Sequence, residues 1–175
     1  MKSKLYTVLV VLLIAVVAVT PVFARGAIKL TNIEFSLGSL IAEGFARGLG
    51  NTDVTIVLGG SGIPAVTCTN YGNNDVPGQS YPKVSATGQQ TILGDDPLRK
   101  NGKAAFFTET DDPETISWDE AGCPNSNWTA YVDFIFWTDA TISVYDTTTG
   151  DLLKTQDYTC VTTRYPARVT CTAVD

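Results

Sequence analysis

Six carboxylates fall within the twelve residues from 109 to 120, the densest acidic stretch of this chain. They are Glu109, Asp111, Asp112, Glu114, Asp119 and Glu120. Carboxylates in a loop can ligate calcium, or supply the acid and the nucleophile of a glycosidase. The spacing does not match an EF-hand loop, and the glycine which that turn requires is missing. We therefore predict a solvated acidic loop with no metal site and no catalytic centre, and keep a carboxylate-dependent hydrolase as an alternative.

A second candidate group lies on the segment 128–137, which alternates like a strand. Its apolar face is assigned to the core and carries Trp128, Ala130, Val132, Phe134 and Phe136. The opposite face carries Tyr131, Asp133, Ile135 and Trp137. Flat rings beside a carboxylate suit stacking on sugar rings or gripping a partner, so Tyr131, Asp133 and Trp137 are predicted ligand-binding residues. Ile135 favours the alternative, in which a loop or a second layer covers this face.

Histidine is absent from the whole chain. Its absence removes Ser-His-Asp and Cys-His catalysis and the usual histidine ligands of zinc and copper. The chain is acidic, with a net charge of −6 and no cluster of lysine and arginine. Such a surface repels phosphate groups, so we predict no nucleic-acid partner and no attachment to anionic lipid.

The first 24 residues have the pattern of a secretory signal peptide. Lys2 and Lys4 precede the apolar stretch 5–19, and Val22-Phe23-Ala24 fits a cleavage site. We expect cleavage after Ala24, which leaves one secreted domain over 25–175 with a net charge of −8, either released or associated with the cell surface. The alternative is an uncleaved membrane anchor, because the apolar segment is about 20 residues long.

The secondary-structure elements that position these candidate residues are predicted to be strands. Threonine, valine, glycine and asparagine are abundant, and turns recur throughout the chain. The segment 39–49 is ambiguous between a helix and a strand containing glycine, and we favour the strand. The segments 54–58 and 65–69 are predicted as two strands joined by a turn at Gly59-Gly60-Ser61-Gly62. About nine to eleven short strands predict an all-β fold, an antiparallel β-sandwich of immunoglobulin-like architecture.

Four cysteines in an exported chain predict two disulfides. Cys160 and Cys171 are equidistant from Tyr165-Pro166, so a symmetric hairpin places them directly opposite each other. We therefore predict Cys160–Cys171 and, by elimination, Cys68–Cys123. Tyr158 two residues before Cys160, with Trp137 between Cys123 and Cys160, resembles immunoglobulin domains, but the cysteine spacing is too narrow for one. This resemblance supports only the sandwich architecture.

The sequence as a whole predicts a secreted, non-enzymatic binding or structural protein without a cofactor. Its expected partner is an extracellular protein or a polysaccharide, with no membrane attachment once the leader is removed. Two alternatives remain open. The first is a carbohydrate-recognition module that uses Tyr131 and Trp137, and the second is the carboxylate-dependent hydrolase.

Overall fold

The computed structural model describes residues 27–174 except 38, 81, 98 and 114. The predicted leader lies outside these residues, as does Glu114 of the acidic loop. Strands make up 63% of the described residues, which contain no helix, and the all-β prediction is therefore confirmed. The strands in chain order are β1 (Lys29–Ser36), β2 (Ile41–Arg47), β3 (Val54–Asn70), β4 (Asp75–Pro77), β5 (Val84–Ile92), β6 (Lys103–Glu109), β7 (Trp128–Asp146), β8 (Leu152–Arg164) and β9 (Ala167–Ala173).

The strands form two antiparallel sheets. One has three strands in the order β1-β2-β6, and the other has six. In the larger sheet β3, β7, β8 and β9 follow one another, while β4 and β5 pair with different parts of the other edge of β3. An antiparallel all-β fold is thus confirmed. An immunoglobulin-like sandwich is not established by this arrangement, because one sheet curls into a half-barrel.

The main core is built from both sheets. The largest fully buried side chains include Leu40 beside β2, Ile56 and Leu58 of β3, and Trp137 and Ile142 of β7. Burial of each of these side chains contributes about 1.5–3 kcal/mol through removal of apolar surface from water. The strong alternation of buried and partly exposed residues along β3 and β7 follows from the two-residue period of a strand.

The predicted turn at residues 59–62 is wrong, because β3 runs unbroken through all four residues. Gly60 lies where a Cβ atom would come within 2.7 Å of Leu40 and 3.0 Å of Trp137. At Gly62 a Cβ atom would lie 2.6 Å from the carbonyl oxygen of Phe136. These two glycines therefore make room for packed neighbours instead of turning the chain.

β7 contains two bulges, and they change which of its residues face the core. Its register against β3 passes over one residue at Asp133 and another at Thr138. Each extra residue reverses the alternation beyond it. Before the first bulge Trp128, Ala130 and Val132 pack against a second, smaller core cluster, as predicted for that face.

Beyond the first bulge the predicted faces are wrong. Ile135 and Trp137 are only 9% and 2% exposed and belong to the main core. Phe134 and Phe136, assigned to the core from the sequence, are half-buried, and their rings pack edge to face at 5.0 Å. The sequence gives no local sign of a bulge, because Asp133 and Thr138 continue an ordinary strand pattern.

Both predicted disulfides are confirmed. Cys160 and Cys171 are directly opposite each other in the β8–β9 hairpin, with Cα atoms 4.0 Å apart. Cys68 of β3 bonds to Cys123, with a Cα separation of 5.7 Å, and thereby holds the long loop between β6 and β7. The Tyr165–Pro166 peptide bond at the hairpin tip is cis. In the described part of the chain, no helix has the length and apolar character needed to cross a membrane.

Candidate functional site: a cleft beside the edge of β7

The two groups singled out from the sequence meet at one cleft. Its volume is about 460 Å³. One wall is the described part of the segment 111–116, from the acidic loop, and the other is the stretch Ala130–Ile135 of β7. Trp137 and Leu37 also line the cleft, so that its base is continuous with the apolar core.

The wall formed by 111–116 is anchored where it leaves β6. Thr110 is buried, and its Oγ1 atom accepts a hydrogen bond of 3.1 Å from the Leu40 amide. The Thr110 amide in turn donates to the Leu40 carbonyl at 2.9 Å, and the Asp111 amide donates to the Thr87 carbonyl at 2.9 Å. These bonds tie the start of the loop to both sheets, because Thr87 belongs to β5 and Leu40 precedes β2.

The same wall is anchored again at its far end. The amide and hydroxyl of Ser117 donate to Oε2 of Glu120 at 3.1 and 2.6 Å. The hydrogen bond from the Ser117 side chain is the main reason that the pKa of Glu120 lies below its ordinary value. Just beyond, Ala121 is fully buried and Cys123 is bonded to Cys68. Buried or covalent contacts therefore hold both ends of this wall in place.

The β7 wall is shaped by the bulge at Asp133. The Oδ2 atom of Asp133 accepts a hydrogen bond of 2.6 Å from the hydroxyl of Thr67, on the adjacent strand β3. The ladder between β7 and β8 ends at the pair Asp139↔Thr159. On the N-terminal side of Asp139, the contact from β8 is a side-chain hydrogen bond, in which the Thr162 hydroxyl donates to the Trp137 carbonyl at 2.9 Å. β8 therefore does not cover the edge of β7 that lines the cleft.

The cleft is acidic. Asp111, Asp112 and Asp133 all line it, and its described lining includes no lysine or arginine. Within the described residues, neither Asp111 nor Asp112 has a side-chain hydrogen bond or an ion pair. The described residues hold no group of three or more His, Cys, Asp or Glu side chains that could bind a metal ion.

A second cleft, of about 550 Å³, lies on the other side of the same wall. Its lining includes Lys83, whose Nζ atom is 2.8 Å from Oδ2 of Asp139. This hydrogen bond, with a second from the Thr138 hydroxyl, lowers the pKa of Asp139. Lys83 thus gives this second cleft a positive charge, which is already paired with Asp139. The two clefts share Asp111 and Asp112, but the described lining of the cleft beside β7 contains no cation.

All three predicted ligand-binding residues line the cleft, but their exposure differs. Tyr131 is 55% exposed, whereas Trp137 is 2% exposed. Because the bulge at Asp133 turns Trp137 into the core, its ring lies at the base of the cleft and not on an exposed face as predicted. The sequence predicted an exposed platform of two rings, whereas the structure exposes only the ring of Tyr131.

Sequence reasoning missed the residues that build the cleft from the loop side. Thr110 and Ile116 carry no catalytic or binding signature, yet Thr110 fixes the wall and Ile116 lines the cleft. The sequence did contain one usable signal. The segment 110–116 lies between a predicted strand and Cys123, and a segment held at both ends is expected to be ordered. What could not be read from the sequence was that this segment packs beside 130–135.

No family model, no curated protein and no solved structure matches this chain.

Proposed function

We propose that this chain is an exported, non-enzymatic binding protein, and that the cleft between segment 111–116 and β7 is its binding site. The observation that carries the proposal is a cleft of about 460 Å³ with anchored walls, an apolar base and two carboxylates, Asp111 and Asp112, that have no ion pair among the described residues. Preformed concave sites with an apolar lining and a few polar groups are the usual form of ligand sites. The two disulfides favour an oxidising, extracellular setting.

The anchored walls support binding because they reduce the cost of ordering the site. Leu40 and Thr110 fix the start of the loop wall, and the Cys68–Cys123 disulfide fixes its end. A ligand that enters a site with fixed walls does not have to order a loop, and more of its interaction energy appears as affinity.

A cleft-filling variant tests the location of the site. Thr115 is exposed and lies on the wall shared by the two clefts, so Thr115→Trp places a large ring there. The amides of 130–135 line only the cleft beside β7 and therefore report on that cleft. The matched control is Thr148→Trp, in the exposed turn between β7 and β8. Amide chemical shifts are followed by NMR during titration with chitotetraose, cellotetraose, spermidine and a lysine-rich peptide.

Saturable shifts at the amides of 115–116 and 130–135 are expected in the native chain and in Thr148→Trp, and are expected to be lost in Thr115→Trp. Equal binding by Thr115→Trp would show that the site lies elsewhere. If no probe shifts these amides, the assignment of the cleft as a binding site is wrong.

A carboxylate-dependent hydrolase is the second candidate, because three aspartates line one cleft. Turnover of chromogenic glycosides by the native chain, lost in Asp111→Asn/Asp112→Asn, would favour it over a pure binding role. A carbohydrate-recognition module remains a further candidate only in a form that relies on Tyr131, since the buried Trp137 is unable to stack on a sugar ring.

A further inference from the structure

One stretch of β7 has a neighbouring strand on only one side. Residues 129–136 pair with β3, whereas the ladder to β8 begins only at Asp139. In the described part of the chain, no backbone hydrogen bond reaches 129–136 from the side away from β3. This edge therefore offers a row of unpaired N–H and C=O groups, which is a template for another strand.

The cleft lies along this open edge. Six consecutive residues of β7, Ala130–Ile135, line it, and the opposite wall is also formed by near-consecutive residues of 111–116. Successive side chains of a strand point to opposite faces of its sheet. A cavity over one face of the sheet would be lined by every second residue of the strand. Because all six residues line this cavity, it lies along the edge of β7. Its shape suits an extended chain running parallel or antiparallel to β7.

The charges of the cleft select the kind of chain it accepts. Asp111, Asp112 and Asp133 supply negative charge from both walls, and the described lining has no cation to offset them. The whole chain adds a net charge of −6. Arg164 lies outside the cleft lining, 6.0 Å from the ring of Phe134. Electrostatic complementarity therefore favours a basic occupant and disfavours an acidic one.

The apolar part of the lining indicates that the bound segment also carries apolar side chains. Ile116, Val132 and Ile135 lie in the same cleft as the carboxylates. Because an added strand presents alternate side chains to opposite sides, a sequence that alternates basic and apolar residues satisfies both kinds of lining.

We infer that the cleft binds an extended, basic segment of an extracellular partner protein, which adds as a strand to the open edge of β7. This inference rests on the proposed function and names its class of ligand. Main-chain hydrogen bonds to the edge supply affinity, and the aspartates with the apolar lining supply specificity.

The experiment uses the full chain, expressed with its leader for export, and synthetic peptides about seven residues long, the length of an ordinary strand. One peptide alternates lysine and valine, and a second replaces lysine with glutamate. Two further peptides carry N-methyl groups on one or the other alternate set of backbone nitrogens. Alternate N–H groups of a strand point to the same edge, so one set faces β7 and the other does not.

The lysine peptide is expected to bind and to shift the amides of 130–135, and the glutamate peptide is expected not to bind. One N-methyl set should weaken binding about tenfold or more, equivalent to ~1.4 kcal/mol, while the other set has a much smaller effect. Equal affinities for the two N-methylated peptides would overturn strand addition, because both carry the same number of methyl groups.

Matched charge variants test the role of the carboxylates. Asp111→Asn/Asp112→Asn is expected to weaken the lysine peptide about tenfold, more at low salt than at high salt. The control Glu43→Gln/Asp95→Asn removes the same charge from exposed positions outside the cleft and is expected to retain near-native affinity. Equal losses in both variants would mean that only net charge attracts the peptide, which contradicts the inference.

Failure of this inference is distinguishable from failure of the proposed function. Binding of spermidine or an oligosaccharide in the cleft without binding of the lysine peptide overturns strand addition and leaves the binding site in place. A dimer of the free chain that protects the 130–135 amides also overturns the inference, because a second copy would then be the occupant. The absence of any shift in the cleft with every probe contradicts both.

Discussion

The two halves of β7 differ in how many neighbours they have. From Asp139 to Asp146 the strand pairs with β3 on one edge and β8 on the other, and Ala140, Ile142 and Val144 are buried in strict alternation. Over residues 128–137 it pairs with β3 alone and is interrupted by the bulge at Asp133. The enclosed half serves the core, whereas the open half is divided between the core and the cleft.

This difference shows how one strand can support both stability and recognition. A strand paired on both edges has all its backbone groups bonded and no backbone to offer a ligand. The open half retains rigidity by other means, namely the β3 ladder, the Asp133–Thr67 hydrogen bond and the nearby Cys68–Cys123 disulfide. Binding residues held on a rigid element are positioned more accurately than those on a free loop.

The largest expected effect comes from removing the disulfide beside the open half. Cys68→Ala/Cys123→Ala opens a loop with a sequence separation of 55 and should lower the free energy of unfolding by about 4 kcal/mol. Hydrogen exchange should quicken at 139–146 only as far as the lower global stability requires, and further at 128–136 through local opening. The control, Cys160→Ala/Cys171→Ala, opens a loop with a separation of only 11 and should cost about 3 kcal/mol. No further quickening at 128–136 than at 139–146 in the first variant would show that the disulfide does not support the open half.

A matched pair of isoleucines compares the two halves directly. Ile142 is fully buried between paired strands, and Ile142→Ala should lower the free energy of unfolding by about 4 kcal/mol. Ile135 lies at the cleft, where water can fill the space left by a truncation, and Ile135→Ala should cost about 2 kcal/mol. Urea unfolding measures both values. Equal losses would mean that the open half is packed as fully as the enclosed half.

The smallest effect is expected at the junction between the halves, where Lys83 binds Asp139. The hydrogen bond from Lys83 holds the pKa of Asp139 below its ordinary value of 3.8. The stabilisation is therefore present above about pH 4 and is lost as the pH falls through the lowered folded-state pKa. Because the side chains are 59% and 52% exposed, Lys83→Met should cost less than about 1 kcal/mol at neutral pH. Urea unfolding near pH 7 and about pH 2 should show this difference vanishing in acid; a persistent difference would assign it to packing.

Much of the local structure followed from residue type. The asparagine and glycine at 101–102, residue types that adopt positive φ most readily, form a tight turn with φ values of 53° and 66°, and Gly150 ends the β7–β8 turn with a φ of 76°. The pairing of Cys160 with Cys171 followed from symmetry about Tyr165-Pro166, and the pairing of Cys68 with Cys123 followed by elimination. These features depend on chemistry close in the sequence, where spacing constrains geometry.

The errors have a common physical origin in contacts between distant segments. Gly60 and Gly62 resemble turn residues, but they lie in a strand, where Gly60 packs against Leu40 and Trp137 and Gly62 packs against Phe136. Pro64 lies where β3 has no partner beyond β7, between its pairs with β5 and β4, so its missing N–H group costs nothing there. The cleft could not be predicted for the same reason, because it requires the loop 111–116 and β7 to meet.

The close approach at Gly60 also constrains how the chain can vary. A Cβ atom there would meet the Trp137 ring, so the two positions share one volume in the core. Substitution at one of them is expected to be tolerated only when the other becomes smaller. In a library that randomises both positions, functional variants should therefore pair a glycine with a large ring, or a small side chain with a reduced one.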